Sequence, residues 1–279
     1  MGSSASYPRT FGGSAGRRLN PVDKDNSVND PIFSTAELER FFAHLAGTYA
    51  CGTLADRPTS SGVILRRDVD LEVNAAHRMS VLEEKHGLRA SYLIMTTNHA
   101  YNPASPQNRA LLRDMASRGF DIGLHFDPFV YGDVSDVKLQ RHAEDEASFL
   151  SEACGAPVRS VSIHNPSFHG QYPMLNGFVN AYSPELFEPN RYWSDSLMRP
   201  RKDLWAFIAG ASAQVLQVLM HPFHYSATGA GYRDLFVGNV REYAAALDSQ
   251  FRPVNAHYRD AFPEPIHEIA LQPTPGLAS

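Results

Sequence analysis

The stretch ILRRDVD, Ile64–Asp70, drives an apolar run straight into charge. Val63, Ile64 and Leu65 read as a buried strand, and two arginines and two aspartates follow at once. Aspartate is a favoured helix N-cap, so Asp68 and Asp70 read in one way as caps for a helix expected over Leu71–His86. That helix would bury Ala75, Met79 and Leu82 and stop at Gly87. One cap accounts for one aspartate and poorly for two. The pair reads better as a strand end that carries a functional site.

Outward from this stretch, strands and helices alternate. A strand is expected over Ala90–Met95, a helix over Asn108–Arg118 stopped by Gly119, and a strand over Phe120–Leu124. A long helix follows over Val137–Cys154, then a strand over Val158–Ile163. Residues Pro166 to Ala209 are irregular, with strand-like pieces in GFVNAYS and RYWSD. Val215–Met220 is a strong strand and Tyr232–Gln250 a final helix. Upstream, Ser34 and Glu37 are spaced as a capping box, and Leu38, Phe41, Phe42 and Leu45 continue at helical spacing.

Such alternation implies parallel βαβ units with right-handed crossovers, and the short apolar strands imply burial on both faces. No GxGxxG or P-loop follows the first strand, which counts against a nucleotide fold. An open doubly wound sheet and a closed or partly closed barrel both satisfy the pattern. One domain is expected over 31–265, between a flexible leader (1–30) and a C-terminal tail (266–279).

With 43% hydrophobic and 20% charged residues, the 279-residue chain has the composition of a soluble globular protein. Its net charge is −5 and no Lys/Arg run stands out, so nucleic acid is not an expected partner. Cys51 and Cys154 form neither a disulfide framework nor a metal clip. The Ser/Gly-rich N-terminus has no apolar signal core and no window suits a bilayer span, so a cytoplasmic location is expected. Oligomeric state is not legible.

Polar residues gather where strands end. Asp68 and Asp70 follow the first strand, His125 and Asp127 the third, and His164 and Asn165 the fourth. Asp195 follows RYWS, and His221 and His224 follow VLQVLM. In parallel α/β barrels this end of the sheet is the site face. Carboxylates and imidazoles together suit one divalent metal, Zn²⁺ first, with Co²⁺, Fe²⁺, Mn²⁺ or Ni²⁺ as alternatives. Asp70, His125 and His164 are the expected ligands. Each histidine also has a structural reading, as a satisfied core or loop residue.

These same stretches resemble the polysaccharide deacetylase superfamily, the NodB-homology or carbohydrate esterase family 4 proteins, and within it a WbmS-like branch. The resemblance rests on RRDVD (66–70), GLRASYL (87–93), YNPASPQN (101–108), GFDIGLHFD (119–127), VRSVSIHNPS (158–167), YWSDS (192–196) and LMHP (219–222), in that order. It implies a distorted, incomplete (β/α) barrel with an N-terminal helical extension, and metal-dependent removal of an N- or O-acetyl group from a sugar or sugar-linked small molecule. It makes Asp68 the general base, Asp70 a metal ligand and His221 the general acid.

Two departures follow. The family's second metal histidine, four positions after the first, is Phe129 here, which leaves His164 as the candidate. The histidine usual before DVD is Arg67, expected to depress Asp68 or to bind an anionic substrate group. Tyr101, Asn102, Asp127, Trp193, Asp195 and His224 are expected around the substrate, with Trp193 either stacked on a sugar ring or in the core, and Asp195 orienting a histidine or contacting a sugar hydroxyl. Two rival readings accompany the hydrolase. One is an inactive deacetylase fold that binds a glycan or partner protein, and the other a phosphoester hydrolase with more metal ligands.

Overall fold

The computed structural model describes residues 30–269. Its central strand is the opening stretch, extended to β2 (Gly62–Val69) and buried along its whole length. Around it lie β1 (Cys51–Gly52), β3 (Ser91–Ile94), β4 (Asp121–Phe126), β5 (Ser160–Ile163), β6 (Val179–Asn180), β7 (Tyr192–Ser194) and β8 (Val215–Met220). All pairings are parallel, in the order β6-β5-β4-β3-β2-β8-β7, with β1 beside the first half of β2. The sheet curls into a half-barrel with helices around it, the incomplete (β/α) barrel that the motifs imply.

Five long helices cover the outside: α1 (Thr35–Thr48), α2 (Val73–Lys85), α3 (Pro106–Ser117), α4 (Asp136–Cys154) and α5 (Tyr232–Phe251). Ser34 caps α1 by accepting from the Glu37 N–H, and the expected Leu38, Phe41, Phe42 and Leu45 are its buried face. In α5 the expected phase fails in part: Ala244 is buried, but Val240 and Tyr243 are exposed. The leader expected over 1–30 lies, save for Asp30, outside the described residues, as does the tail from 270. Residues Ile266–Ile269 form a further helical turn, tied back where the Ile266 N–H donates to Asp248 of α5 at 3.4 Å.

Side chains alternate across a strand, and β2 shows what that does here. Val63, Leu65 and Val69 join the core formed with α1 and α2. Ile64 points the other way, into a small cluster with Leu93, Ala181 and Leu186. Beyond that cluster this inner face turns polar: Asp68, His125 and Ser162 toward the C-terminal strand ends, and Arg66, Gln217 and the strand-opening Ser91, Asp121 and Ser160 below them, are all buried. The strands are therefore buried on both faces, as expected, the outer face mainly apolar and the inner face mainly polar.

The barrel does not close by strand pairing, since β6 and β7 end the order on either side. The Gln217 side chain of β8 reaches across, its Nε2 donating to the carbonyls of Ala181 (3.0 Å) and Leu186 (3.3 Å). The rings of Tyr182, Phe187 and Tyr192 fill the same gap, with Tyr182–Phe187 centroids 4.8 Å apart and Phe187–Tyr192 5.0 Å.

Candidate metal and catalytic site

Parallel strands bring all their C-terminal ends to one rim. Asp70 just beyond β2, His125 in β4 and His164 just beyond β5 meet there. Asp70 Oδ1 lies 3.3 Å from His125 Nε2 and 3.8 Å from His164 Nδ1, and the two imidazole nitrogens are 3.1 Å apart. Ligand atoms at zinc-like bond lengths of about 2.0–2.1 Å stand roughly 3.4 Å apart at tetrahedral angles.

The donor chemistry fits a cation as well as the spacing does. His125 Nδ1 lies 2.6 Å from the Ser162 hydroxyl, and donating its proton there leaves Nε2 with a lone pair for a cation. Asp70 Oδ1 is buried with no hydrogen-bond partner, and a buried carboxylate oxygen left so is costly unless a charge completes it. Burial pushes the His164 imidazole down, and the neighbouring His125 adds to it, which favours the neutral form that binds metal. Burial alone would raise the Asp70 carboxyl. The neighbouring His125 imidazole first, and then His221 and His164, outweigh it and hold the group well below the usual carboxylate range.

Asp68 is also buried, on the inner face beside the triad. The Arg66 guanidinium grips it with two bonds, Nε to Oδ1 at 2.9 Å and Nη2 to Oδ2 at 2.7 Å. Burial opposes ionisation, but Arg66 first and His125 next keep the carboxyl below its ordinary value. The Ser162 hydroxyl reaches Asp68 Oδ1 at 3.4 Å, so one serine touches both the carboxylate and the His125 ring.

Across the rim, His221 Nε2 stands 3.7 Å from Asp70 Oδ2. Its Nδ1 is 2.6 Å from Asp195 Oδ1, and its backbone N–H donates to the same carboxylate. His224 Nδ1 takes the other oxygen, Oδ2, at 3.0 Å. Burial would lower the His221 imidazole, but Asp195 outweighs it and raises the pKa to about 9. Asp195, His221 and His224 also have ligand atoms within metal-binding reach of one another, yet both Asp195 oxygens and both Nδ1 atoms are spent on hydrogen bonds within the group.

Several expected residues lie elsewhere. Arg67, expected beside Asp68, points to the outer face of β2. It is fully buried and pairs with Glu83 of α2 at 2.7 Å, so neither role expected for it is open. Trp193 belongs to the outer core, 3% exposed, with its indole N–H donating to the Lys202 carbonyl. It presents no face to a sugar. The Tyr101 hydroxyl donates to the Val69 carbonyl at 2.7 Å and accepts from the Met95 N–H at 2.9 Å, fixing two strand ends to each other. Asn102 caps the turn before α3, accepting from the Ala104 N–H. Asp127 sits at the rim but caps Phe129. Asp195 and His224 are buried behind His221, where Asp195 holds the His221 ring, the first of the two roles expected of it, and neither meets the substrate surface.

Three residues with a part in the site lie outside the expected ligand, catalytic and substrate sets, although Asn165 is among the polar residues expected at a strand end. Arg66 is two positions before Asp68, and Ser162 two before His164, so strand alternation alone places each on its partner's face. Asn165, whose side-chain amide is 2.8 Å from His164 Nε2, gives no sequence signal beyond adjacency.

No family model and no curated protein matches the chain. Among solved structures, a carbohydrate esterase family 4 pseudoenzyme of Bacillus anthracis, in a mutant form with restored activity, is similar at 13% identity and a TM-score of 0.41. That match covers 67% of this chain and 65% of the other, so the chain spans just under two thirds of that protein's length. The chitin deacetylase of the fungal pathogen Colletotrichum lindemuthianum is similar at 14% identity and a TM-score of 0.41, over 64% of this chain and 81% of its own. A family 4 carbohydrate esterase of Streptomyces lividans, in complex with acetate, is similar at 16% identity and a TM-score of 0.34, over 58% and 79%. These neighbours are of the superfamily that the motifs resemble. The WbmS-like branch rests on the motifs alone, and the function proposed next rests on the side chains.

Proposed function

We propose that this protein is a metal-dependent hydrolase that removes an acetyl or related acyl group from a sugar or sugar-linked small molecule. The observation that carries this reading is the convergence of Asp70 Oδ1, His125 Nε2 and His164 Nδ1, with Asp68 on one side and His221 on the other. Asp70, His125 and His164 would hold one divalent cation, most simply Zn²⁺. When bound, that cation supplies Lewis acidity to the acyl carbonyl.

The chain's own residues do the rest. Asp68, kept anionic and fixed by Arg66, takes the proton of the attacking water as general base. His221, kept protonated by Asp195, gives its Nε2 proton to the departing amine or alcohol. Proton transfers of this kind contribute typically ~10²–10⁴-fold each. Asp195 sets the tautomer: with Nδ1–H committed to the carboxylate, only Nε2 faces the site. Two carboxylates one residue apart thus take different tasks because a strand end aims them differently.

The phosphoester reading loses its support here, since the surplus Asp195 and His224 are satisfied by each other and by His221. The test is elemental analysis of protein purified without chelator, alongside Asp70→Ala and His164→Ala, with acetate release measured from N- and O-acetylated sugars. About one metal per chain, lost in both variants, together with acetate release that Asp68→Asn abolishes, is the expected result. A wild-type protein that takes up neither Zn²⁺ nor Co²⁺ would overturn it and leave the binding-protein reading.

A further inference from the structure

Large apolar side chains stand exposed on the segments that leave the site end of the sheet. Among the described residues, seven large hydrophobic side chains are exposed by half or more: Val81, Val130, Val137, Phe168, Leu197, Tyr243 and Val254. Four of them, Val130, Val137, Phe168 and Leu197, lie on the segments that leave the C-terminal ends of β4, β5 and β7, the site end of the sheet. Isolated exposed apolar residues need no explanation. Four around one mouth do.

Leu197 is the sharpest case. It is 73% exposed and left-handed at φ 58°, and Met198 follows at φ 51°. Consecutive left-handed residues with side chains are costly, and here the cost turns an isobutyl group toward water. The next residues are MRPRK, Met198–Lys202, with Arg199, Arg201 and Lys202 all exposed. Lys202 Nζ is bonded to the Pro189 and Tyr192 carbonyls, but among the described residues Arg199 and Arg201 stand in no ion pair. Across the unpaired gap between β6 and β7, Phe168 is 85% exposed, four residues after His164. Its loop also begins with a left-handed residue, Asn165 at φ 44°. The three non-glycine residues with positive φ among those described thus all sit beside His164 or Asp195.

We propose that the Ser196–Lys202 loop, with Phe168 opposite, seats the mouth of the site on an anionic lipid surface. An apolar tip flanked by unpaired cations matches an acidic headgroup layer over acyl chains. A soluble polyanion would engage Arg199 and Arg201 but give Leu197 nowhere to go. On a chain of net charge −5, local positive charge on this loop also orients the molecule with its site toward the surface. Resting on the hydrolase reading above, this makes the substrate an amphiphile whose acylated sugar head is presented from the membrane.

The experiment is co-sedimentation with vesicles of phosphatidylcholine alone and of phosphatidylcholine mixed with phosphatidylglycerol. The wild type should pellet with the mixed vesicles only, and lose binding as salt is raised. Arg199→Ala and Arg201→Ala should each weaken partitioning about fivefold. Leu197→Gly should weaken it roughly tenfold while its thermal midpoint stays level or rises, because glycine accepts the left-handed backbone. All three variants should retain metal, so failure here is separable from failure of the metal site. No binding of the wild type to the mixed vesicles would overturn the proposal. So would binding that Leu197→Gly leaves unchanged, which would point to a polyanion or protein partner.

Discussion

Two clusters of one aspartate and two histidines lie within a few ångströms of each other, and they are built in opposite ways. In the group of Asp195, His221 and His224, each carboxylate oxygen meets one imidazole Nδ1, at 2.6 and 3.0 Å. Its carboxylate is spent within the group, and His221 Nε2 is what it presents to the site. In the group of Asp70, His125 and His164, the same three residue types turn Oδ1, Nε2 and Nδ1 toward one another, and Asp70 Oδ1 has no hydrogen-bond partner. The difference teaches that residue type identifies neither a metal centre nor a proton relay. What decides is whether the polar atoms satisfy one another.

The comparison breaks most directly at its carboxylates. Asp70→Asn, nearly isosteric, should empty the metal site and abolish acetate release, whereas Asp195→Asn should keep about one metal per chain. Elemental analysis of both variants checks it, and the reverse pattern would exchange the two assignments. Arg66→Ala should cost about 3–5 kcal/mol of stability, because it leaves Asp68 buried and unpaired. A denaturant titration reads that loss, and Arg66→Ala with Asp68→Ala should recover part of it.

His221→Asn should lower the turnover rate by ~10²–10⁴-fold with metal retained. The wild-type rate should fall as pH rises through about 9, where His221 loses its proton, and Asp195→Asn should move that limb to lower pH. The same shift acts on folding. A histidine raised from 6.5 to about 9 stabilises the fold fully below 6.5 and loses that contribution as pH climbs through 9. Chelator-treated protein should therefore unfold more easily at pH 9 than at pH 6, as measured by its denaturation midpoint. The smallest effect belongs to His224→Asn, which leaves Asp195 Oδ2 with the His221 backbone N–H in place of two partners. A rate loss of about tenfold, with metal unchanged, is expected from losing a hydrogen bond to a charged group.

How much of this was legible in the sequence follows from what each inference required. The strand ends were legible, because a parallel sheet with short strands sends every terminal Asp and His to one rim, and Asp68, Asp70, His125, His164 and His221 all lie there. Arg67 misled because adjacency to Asp68 in sequence means opposition across a strand, and Arg66 was the partner. Trp193 and Tyr101 look alike in sequence, as aromatics beside polar loops. Only packing shows that one is core and the other a hydrogen-bonded brace. The polar inner face escaped notice because an apolar run such as Val63–Leu65 does not announce that its alternate positions turn to Arg66, Asp68 and their serine neighbours.

Ser162 holds a consequence of its own. A hydroxyl has one proton to give, and this one lies between His125 Nδ1 at 2.6 Å and Asp68 Oδ1 at 3.4 Å. If the imidazole donates to the oxygen, the oxygen donates onward to the carboxylate, and the two bonds run in a fixed direction. The electron density of a ligand and the basicity of the proton acceptor are then set by the same atom. A substitution at Ser162 would therefore be felt at His125 and at Asp68 together.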